Sequence, residues 1–367
     1  MSINQLNFNY SSVKNTVFII DSDPNLAWLS TFDTVDFERL IVCYDQALDN
    51  QQIEGLFKGL TKQGKEILSI PLVSSEETKS ISSYCSFVQA LENNKCSRFD
   101  LVLAIGGGTI LDLVSFAVST YMRGLPLMMI PTTLIGQVDA STAGKTCINS
   151  DGIKNLLGTF YYPKIVYNNV NFLTTQTYYH FRQGISEILK YGLLDSEHLV
   201  AKLSEFKRQD DLCWLREIVE LTIKSRVKIC KIDPAASNLG HTFGHAIEKL
   251  SKYKIPHGDA INIGTVMALY FSLEIGIIDT QTVSNILILM RKLNLNLHID
   301  STYSATEFVR LMKRDKKSSG KHIYLVLIEG IGKPYESNGS RFYQVSFDVV
   351  EKFVANFLRL PQFRMEN

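Results

Sequence analysis

At 367 residues, with 45% hydrophobic and 20% charged side chains, the chain is long enough for two domains around a large core and too apolar to be disordered. A net charge of +1 argues against a general nucleic-acid binder and leaves only a local basic patch open. Six scattered cysteines without a C-x-x-C read as reduced thiols, and so as a reducing, cytoplasmic setting.

The chain opens on MSINQLNFNYSSVKN, where no basic start precedes an apolar run, so no signal peptide is expected. TVFII (16–20), RLIVCY (39–44), EILSIPL (66–72), DLVLAIG (100–106) and LPLMMIP (125–131) read as buried strands, short and aliphatic and bounded by Gly, Pro or Asp. Between them ALDNQQIEGLFKGLTKQ, SSEETKSISSYCSFVQALENN and TILDLVSFAVSTYMRG read as helices. This alternation predicts a parallel sheet with helices on both faces, a Rossmann-like α/β domain over 1–173. From Thr174 helical patterns take over, at 177–192, 195–207, 213–231, 241–251, 260–275, 280–293 and 305–314. They predict a mainly helical second domain over 174–367. HIYLVLIE and FYQVSF predict a late hairpin or sheet appendage. The run 260–278 is the most membrane-like, but it carries Asn262, Gly264 and Glu274 and reads as a buried core helix, so no membrane contact is expected.

In DLVLAIGGGTILDLVSF a strand meets a helix through Gly106, Gly107 and Gly108. Lacking Cβ atoms, these let a diphosphate approach unpaired helix N–H groups, although a tight turn without a ligand has the same form. PTTLIGQVDASTAGKT puts Thr132 and Thr133 at the end of the next strand, where α/β folds bind nucleotides, with Asp139 and Lys145 in the loop beyond. In FRQGISEILKYG, Glu187 and Lys190 share a helix face. An exposed pair there would be worth little. Ile185, Ile188, Leu189 and Tyr191 make the helix apolar nearly all round, which turns the pair inward. NLGHTFGHAIEKLSKYKIPHGD carries His241 and His245 one helical turn apart, and His257 on an expected turn between Pro256 and Gly258, with a new helix from near Ala260. The H-x3-H pair alone is more often two capped or solvated helix histidines. The third histidine brings a metal or proton-transfer site level with that reading. RDKKSSGK at 314–321 is, by itself, a solvated charge run.

GHTFGHAIE followed by HGD resembles the metal-binding half of the 3-dehydroquinate synthases and their relatives, the sugar phosphate cyclases. GGGxxxD and PTT...QVD...GKT resemble the NAD-binding region of that family, SEETKS its GEQYKS-type segment, and ISEILKYG its AEVIKYG. The resemblance implies a cyclase acting on a small phosphorylated sugar with NAD and zinc, or cobalt in its place. NAD would oxidise a ring hydroxyl, phosphate would leave by elimination, the hydride would return, and ring opening with an aldol step would close the carbocycle. It implies NAD contacts from Asp45, Glu76, Lys79, Gly106, Gly107, Gly108, Asp112, Thr132, Thr133, Asp139, Lys154 and Thr174. It implies metal ligands Glu187, His241 and His257, a set with one open position. Substrate contacts would come from Lys145, Asn155, Lys190, Lys224, Asn238, His245, Lys316 and Lys317, with Asp139, Lys145, Lys190, Asn238 and His245 serving the chemistry. Arg123 would reach the phosphate held by a neighbouring subunit, which implies a homodimer.

One segment departs from the family. Between Lys224 and Asn238 stands SRVKICKIDPAAS, a few residues short, with Pro234 where the family has an arginine four residues before the asparagine. That arginine and the lysine at Lys224 hold the substrate carboxylate in the family pattern, and a proline cannot replace a guanidinium. Either Arg226, Lys228 or Lys231 reaches in, or the substrate has no carboxylate, as for relatives that cyclise glucose 6-phosphate or sedoheptulose 7-phosphate. The rival readings are a glycerol-dehydrogenase-like metal-dependent alcohol dehydrogenase and a non-catalytic sugar phosphate binder. Lys190, Asn238 and the DKK cluster together stand against the first, and the full Glu-His-His set against the second.

Overall fold

The computed structural model describes residues 15–22, 35–48, 50–61, 64–151, 153–313 and 322–364. Lys316 and Lys317, with the whole 314–321 segment, lie outside the described residues. The first half runs β1 (Val17–Asp21), β2 (Arg39–Asp45), α1 (Asn50–Thr61), β3 (Glu66–Leu72), α2 (Ile81–Asn93), β4 (Leu101–Gly106), α3 (Gly108–Thr120) and β5 (Leu127–Pro131). An antiparallel ribbon of β6 (Lys145–Ser150) and β7 (Ile153–Phe160) follows, then β8 (Ile165–Asn169).

β1 to β5 and β8 form one six-stranded parallel sheet in the order β1-β8-β5-β4-β2-β3. Every residue of β4 is buried, which is why the strand is aliphatic on both faces. Leu101, Leu103 and Ile105 pack with Met128, Ile130 and Leu60 on one face. Val102 and Ala104 pack with Met129 and the α2 residues Phe87 and Leu91 on the other. Each such aliphatic side chain contributes about 1.5–3 kcal/mol by leaving water. The chain steps outward from β2 to β3, then turns back through β4 and β5 to β8, so the order reverses between β2 and β4. At such a reversal the loops beyond the strand ends diverge and leave a crevice. Asp45 and Gly106 end the two strands that flank it.

The five expected strands are all in this sheet. β8 and the ribbon β6–β7 were not anticipated. IVYNN ends on two asparagines, and the ribbon is rich in Gly, Ser, Thr and Lys, so neither carries the apolar run that marks the other strands.

The second half begins with α4 (Asn171–Thr174), α5 (Tyr178–Asp195), α6 (Glu197–Ser204) and α7 (Leu212–Ile232). α8 (His241–Leu250), α9 (His257–Glu274), α10 (Thr280–Lys292) and α11 (Ala305–Lys313) follow. Strand β9 (His322–Leu325) pairs antiparallel with β12 (Tyr343–Ser346), and β10 (Ile328–Gly330) with β11 (Lys333–Pro334), before α12 (Phe347–Phe357) closes the described chain, a helix the sequence did not disclose.

α9 is buried almost throughout from Gly258 to Ser272, because helices pack around it on several sides. That explains its membrane-like composition. Among the described residues no helix is long and apolar enough to cross a membrane. α8 and α9 approach so closely that a Cβ on Gly264 would lie 2.2 Å from the Gly240 carbonyl. One correction concerns His257. It does not sit on a turn; it is the first residue of α9, with Pro256 as the N-cap. Proline is well suited to the start of a helix, where no N–H partner is needed.

Candidate metal and cofactor site

α5 carries Glu187 and Lys190 on its buried face, as the apolar surroundings suggested. Glu187 is 0% exposed. Its ligand oxygen and one nitrogen each of His241 and His257 lie within 4.8 Å of one another. Three helices therefore deliver one side chain each: α5, α8 and α9. His257 Nε2 stands 3.4 Å and His241 Nε2 3.9 Å from Glu187 Oε1. The other nitrogen of each imidazole is held from behind, His257 Nδ1 by Glu248 Oε1 at 3.5 Å and His241 Nδ1 by the Leu239 carbonyl at 3.1 Å. His245 stands beside them, its ring 5.4 Å from that of His241.

The Lys190 ammonium lies against Glu187 Oε2, yet among the described residues neither carboxylate oxygen has a properly directed hydrogen bond. Burial opposes the charge on Glu187, but Lys190 and then His257 hold its pKa below the ordinary carboxylate value. Burial likewise opposes the charge on His257, and Glu248 and Glu187 overcome it, raising the imidazole to about 10. Glu248 is drawn down to about 2 against its own burial, chiefly by His257. A carboxylate held by neighbouring charges rather than by directed hydrogen bonds, together with two imidazoles, forms a donor set for a borderline divalent cation such as zinc.

Glu248 escaped the sequence reading. It is three residues beyond His245 and seven beyond His241, so helical spacing put it on the same face, and that was the available signal.

Above this cluster, Asp139 hangs from the short π-helical turn Gly136–Ala140 after β5. Tyr191 Oη donates to Asp139 Oδ1 at 2.5 Å, and Arg226 of α7 contacts both the carboxylate and the phenol through Nη1. Burial opposes the charge on Asp139, but Arg226, Lys190 and Lys145 hold its pKa low. Lys145 is pushed down by burial and then by Arg226. Lys145, Lys190, Arg226, Asp139 and Glu187 thus form one electrostatic group.

The nucleotide side is built differently. α3 begins at Gly108 with Gly107 as its N-cap, and a Cβ on Gly106 would meet Ile110 Cβ at 2.8 Å. Thr132 N donates to the Gly106 carbonyl at 3.0 Å, and Thr133 Oγ1 accepts from Gly136 N at 3.1 Å, so both threonines shape the turn. Lys79 Nζ donates to Asp112 Oδ2 at 2.8 Å and to Asn155 Oδ1 at 2.6 Å. Cys147 Sγ completes the cluster 3.1 Å from Asn155 Oδ1, its thiol pushed up to about 12 by burial and by Asp112. Lys154 Nζ lies 4.0 Å from Glu76 Oε1 and 3.8 Å from Glu248 Oε1, which joins this side to the histidines.

Residues 69–183 match the 3-dehydroquinate synthase N-terminal family and residues 184–318 the 3-dehydroquinate synthase C-terminal family. The chain belongs to the 3-dehydroquinate synthase family. It is 32% identical to a 3-dehydroquinate synthase of Sulfurisphaera tokodaii over 317 residues, covering 83% of this chain and 88% of the relative. Its fold is that of 2-epi-5-epi-valiolone synthase from Streptomyces hygroscopicus subsp. jinggangensis, solved with NAD+ and Zn2+ (TM-score 0.82, 23% identity, 95% of this chain and 99% of that one). It is also that of 2-deoxy-scyllo-inosose synthase, solved with carbaglucose-6-phosphate, NAD+ and Co2+ (TM-score 0.81, 20% identity, 92% and 96%).

The segment where the chain departs from the 3-dehydroquinate synthase pattern is now visible. Pro234–Ser237 is a 3-10 turn directly after α7, and the Asn238 amide donates to the Ala235 carbonyl at 2.7 Å. Lys224, expected at the substrate, is not brought there. It is 68% exposed and paired with Glu220 at 2.6 Å. It lines a cavity of about 770 Å3 against Phe18 and Ile20 of β1. Residues two positions apart on a helix lie about 200° apart around its axis, so Arg226 pointing inward turns Lys224 outward.

The remaining expected residues are peripheral to the cluster in this structure. Asp45 caps its own turn, accepting from Ala47 N at 3.0 Å. Thr174 Oγ1 donates to the Asn171 carbonyl at 2.8 Å. Arg123 is exposed at the end of a 3-10 turn, with φ 68°.

Proposed function

We propose that the protein is a 3-dehydroquinate synthase, converting 3-deoxy-arabino-heptulosonate 7-phosphate to 3-dehydroquinate and phosphate with NAD and zinc. The observation that carries this reading is the buried Glu187 carboxylate, faced by His241 and His257 and accompanied by Lys190 on its own helix. The residues fit a cation, since among the described residues both buried Glu187 oxygens lack hydrogen bonds and both imidazoles are oriented from behind. They fit a dinucleotide where the glycine turn leaves no room for a side chain at Gly106 and the start of α3 favours a diphosphate.

When bound, zinc makes a substrate hydroxyl easier to ionise and NAD takes up and returns its hydride. Glu187, His241 and His257 would hold the metal. Lys190 balances Glu187 and offers its ammonium to the hydroxyls. Asp139, fixed by Tyr191 and Arg226, stays ionised and orients the ring beside the glycine turn. His245 serves as the proton relay, and Asn238 orients the substrate. Lys145, Asn155, Lys316 and Lys317 serve the phosphate. In a homodimer Arg123 would add to the neighbouring copy's phosphate subsite. Asp45, Glu76, Lys79, Gly106, Gly107, Gly108, Asp112, Thr132, Thr133, Lys154 and Thr174 make up the proposed dinucleotide side. Six unpaired cysteines suit the cytoplasm.

A second reading, a cyclase for a sugar phosphate without a carboxylate, is favoured by Pro234 and by the outward Lys224. The test is phosphate release by the zinc-loaded protein with NAD. The substrates are heptulosonate 7-phosphate, sedoheptulose 7-phosphate and glucose 6-phosphate, with NADH absorbance followed throughout. Release from the first alone, without NADH accumulating, is the expected result. Release only from an uncarboxylated sugar would move the assignment to the second reading, and net NADH production would sink both.

A further inference from the structure

The missing arginine leaves a chemical gap, and α7 fills it. Of the three cations on α7 beyond Lys224, Lys228 is 68% exposed and bound to Asp195 at 2.6 Å, and Lys231 is exposed. Arg226 alone points inward, 4% exposed. Among the described residues its hydrogen bonds leave from Nη1, to Asp139 and Tyr191, while Nε is buried without a partner. A buried guanidinium with an unused edge is an unfinished arrangement, because an unpaired buried donor costs free energy that an acceptor would recover. The Nε edge of an arginine fork matches the spacing of a carboxylate's two oxygens.

The surroundings select an anion as well. Lys145, Lys190 and Arg226 gather around Asp139 and Glu187, and the proximity of Arg226 is felt by Lys145, whose ammonium it disfavours. The 3-10 turn at Pro234 offers no cation, and the Asn238 amide is tied back to Ala235.

We infer that Arg226 receives the substrate's carboxylate through its free edge, doing from α7 what the absent arginine of the loop does elsewhere in the family, and so selects a carboxylated sugar phosphate. This rests on the cyclase reading above. Asp139 and Tyr191 hold the guanidinium through Nη1 and act as its positioning residues.

The test uses zinc-loaded protein with NAD and two variants, Arg226→Met and Arg226→Lys. The readouts are KM and kcat for heptulosonate 7-phosphate, and Ki for sedoheptulose 7-phosphate as a competitor; the two sugars share the phosphate and differ at C1, where one has a carboxylate and the other a hydroxymethyl group, and at C3, where the first lacks a hydroxyl. Arg226→Met should lower kcat/KM on the carboxylated substrate by about 100-fold or more, while Ki for the competitor rises by no more than about 10-fold, the share that both sugars lose through Asp139. Arg226→Lys should raise KM by about 10-fold, since one ammonium replaces a two-pronged donor.

A common loss for both sugars would assign Arg226 to the phosphate or to structure and overturn the inference. So would an unchanged KM in Arg226→Lys, and that variant decides alone if the methionine protein does not fold. If the unaltered protein releases phosphate from none of the sugars, the cyclase reading falls first, whatever the variants do.

Discussion

The two sides of the site handle buried charge in opposite ways. On the nucleotide side Lys79, Asp112, Asn155 and Cys147 satisfy one another within hydrogen-bond distance. On the metal side Glu187 is fully buried, and neither oxygen finds a directed donor. A buried charge must be matched by the protein or by something the protein binds. The first arrangement is closed by directed hydrogen bonds; in the second the charges of Lys190 and His257 hold Glu187 without them, which leaves its oxygens open to the proposed cation. The difference teaches where ligand binding and stability are coupled, and it can be broken from either side.

The largest effect is expected from Glu187→Gln. It removes the anionic ligand, so zinc content measured by atomic absorption should drop from stoichiometric to trace, and phosphate release by about 1,000-fold or more. A glutamine variant that keeps its zinc would refute the ligand assignment. Lys79→Met comes next. Asp112 would be left half-buried without its ammonium, at a cost of about 3 kcal/mol in denaturant unfolding, while zinc content stays as it was. A loss of zinc in this variant would mean the two sides are not separable.

Removing the metal by chelation should cost about 3 kcal/mol and lower Tm by about 5–10 °C, with NAD affinity within about 3-fold by calorimetry. An unchanged Tm would contradict the view that Glu187 depends on a cation. The smallest effect belongs to Lys224→Ala. An exposed pair with Glu220 is worth about 0.2–0.5 kcal/mol, and kcat/KM should stay within about 2-fold. A larger fall would return Lys224 to the substrate and weaken the case for Arg226.

How far the sequence discloses this arrangement depends on the kind of force involved. Strands such as 39–44, 100–106 and 125–131 were legible because hydrophobic burial writes itself as apolar runs, while the edge strand 66–72, expected buried, holds no buried residue. The inward turn of Glu187 and Lys190 was legible for the same reason: their neighbours are apolar. The ribbon of β6 and β7 was not, because exposed antiparallel pairing needs no such run. His257 was read as a turn residue because Pro256 and Gly258 flank it, although proline starts helices as readily as it ends them. Arg226 stood among five cations of α7, and only packing distinguishes the one that faces inward. Tyr191 was read as part of an apolar face, and its hydroxyl contact with Asp139 crosses 52 positions of sequence.

The three prospective ligands also set an order of assembly. Glu187, His241 and His257 stand on α5, α8 and α9, each far from the next along the chain, and no short peptide contains the set. During synthesis the parallel sheet, complete at Asn169, can close before any of the three has left the ribosome. The metal pocket comes into existence only when α9 has emerged and docked between α5 and α8. A growing chain is therefore protected from capturing a cation too early, and the parallel sheet is finished before the three proposed metal ligands can meet.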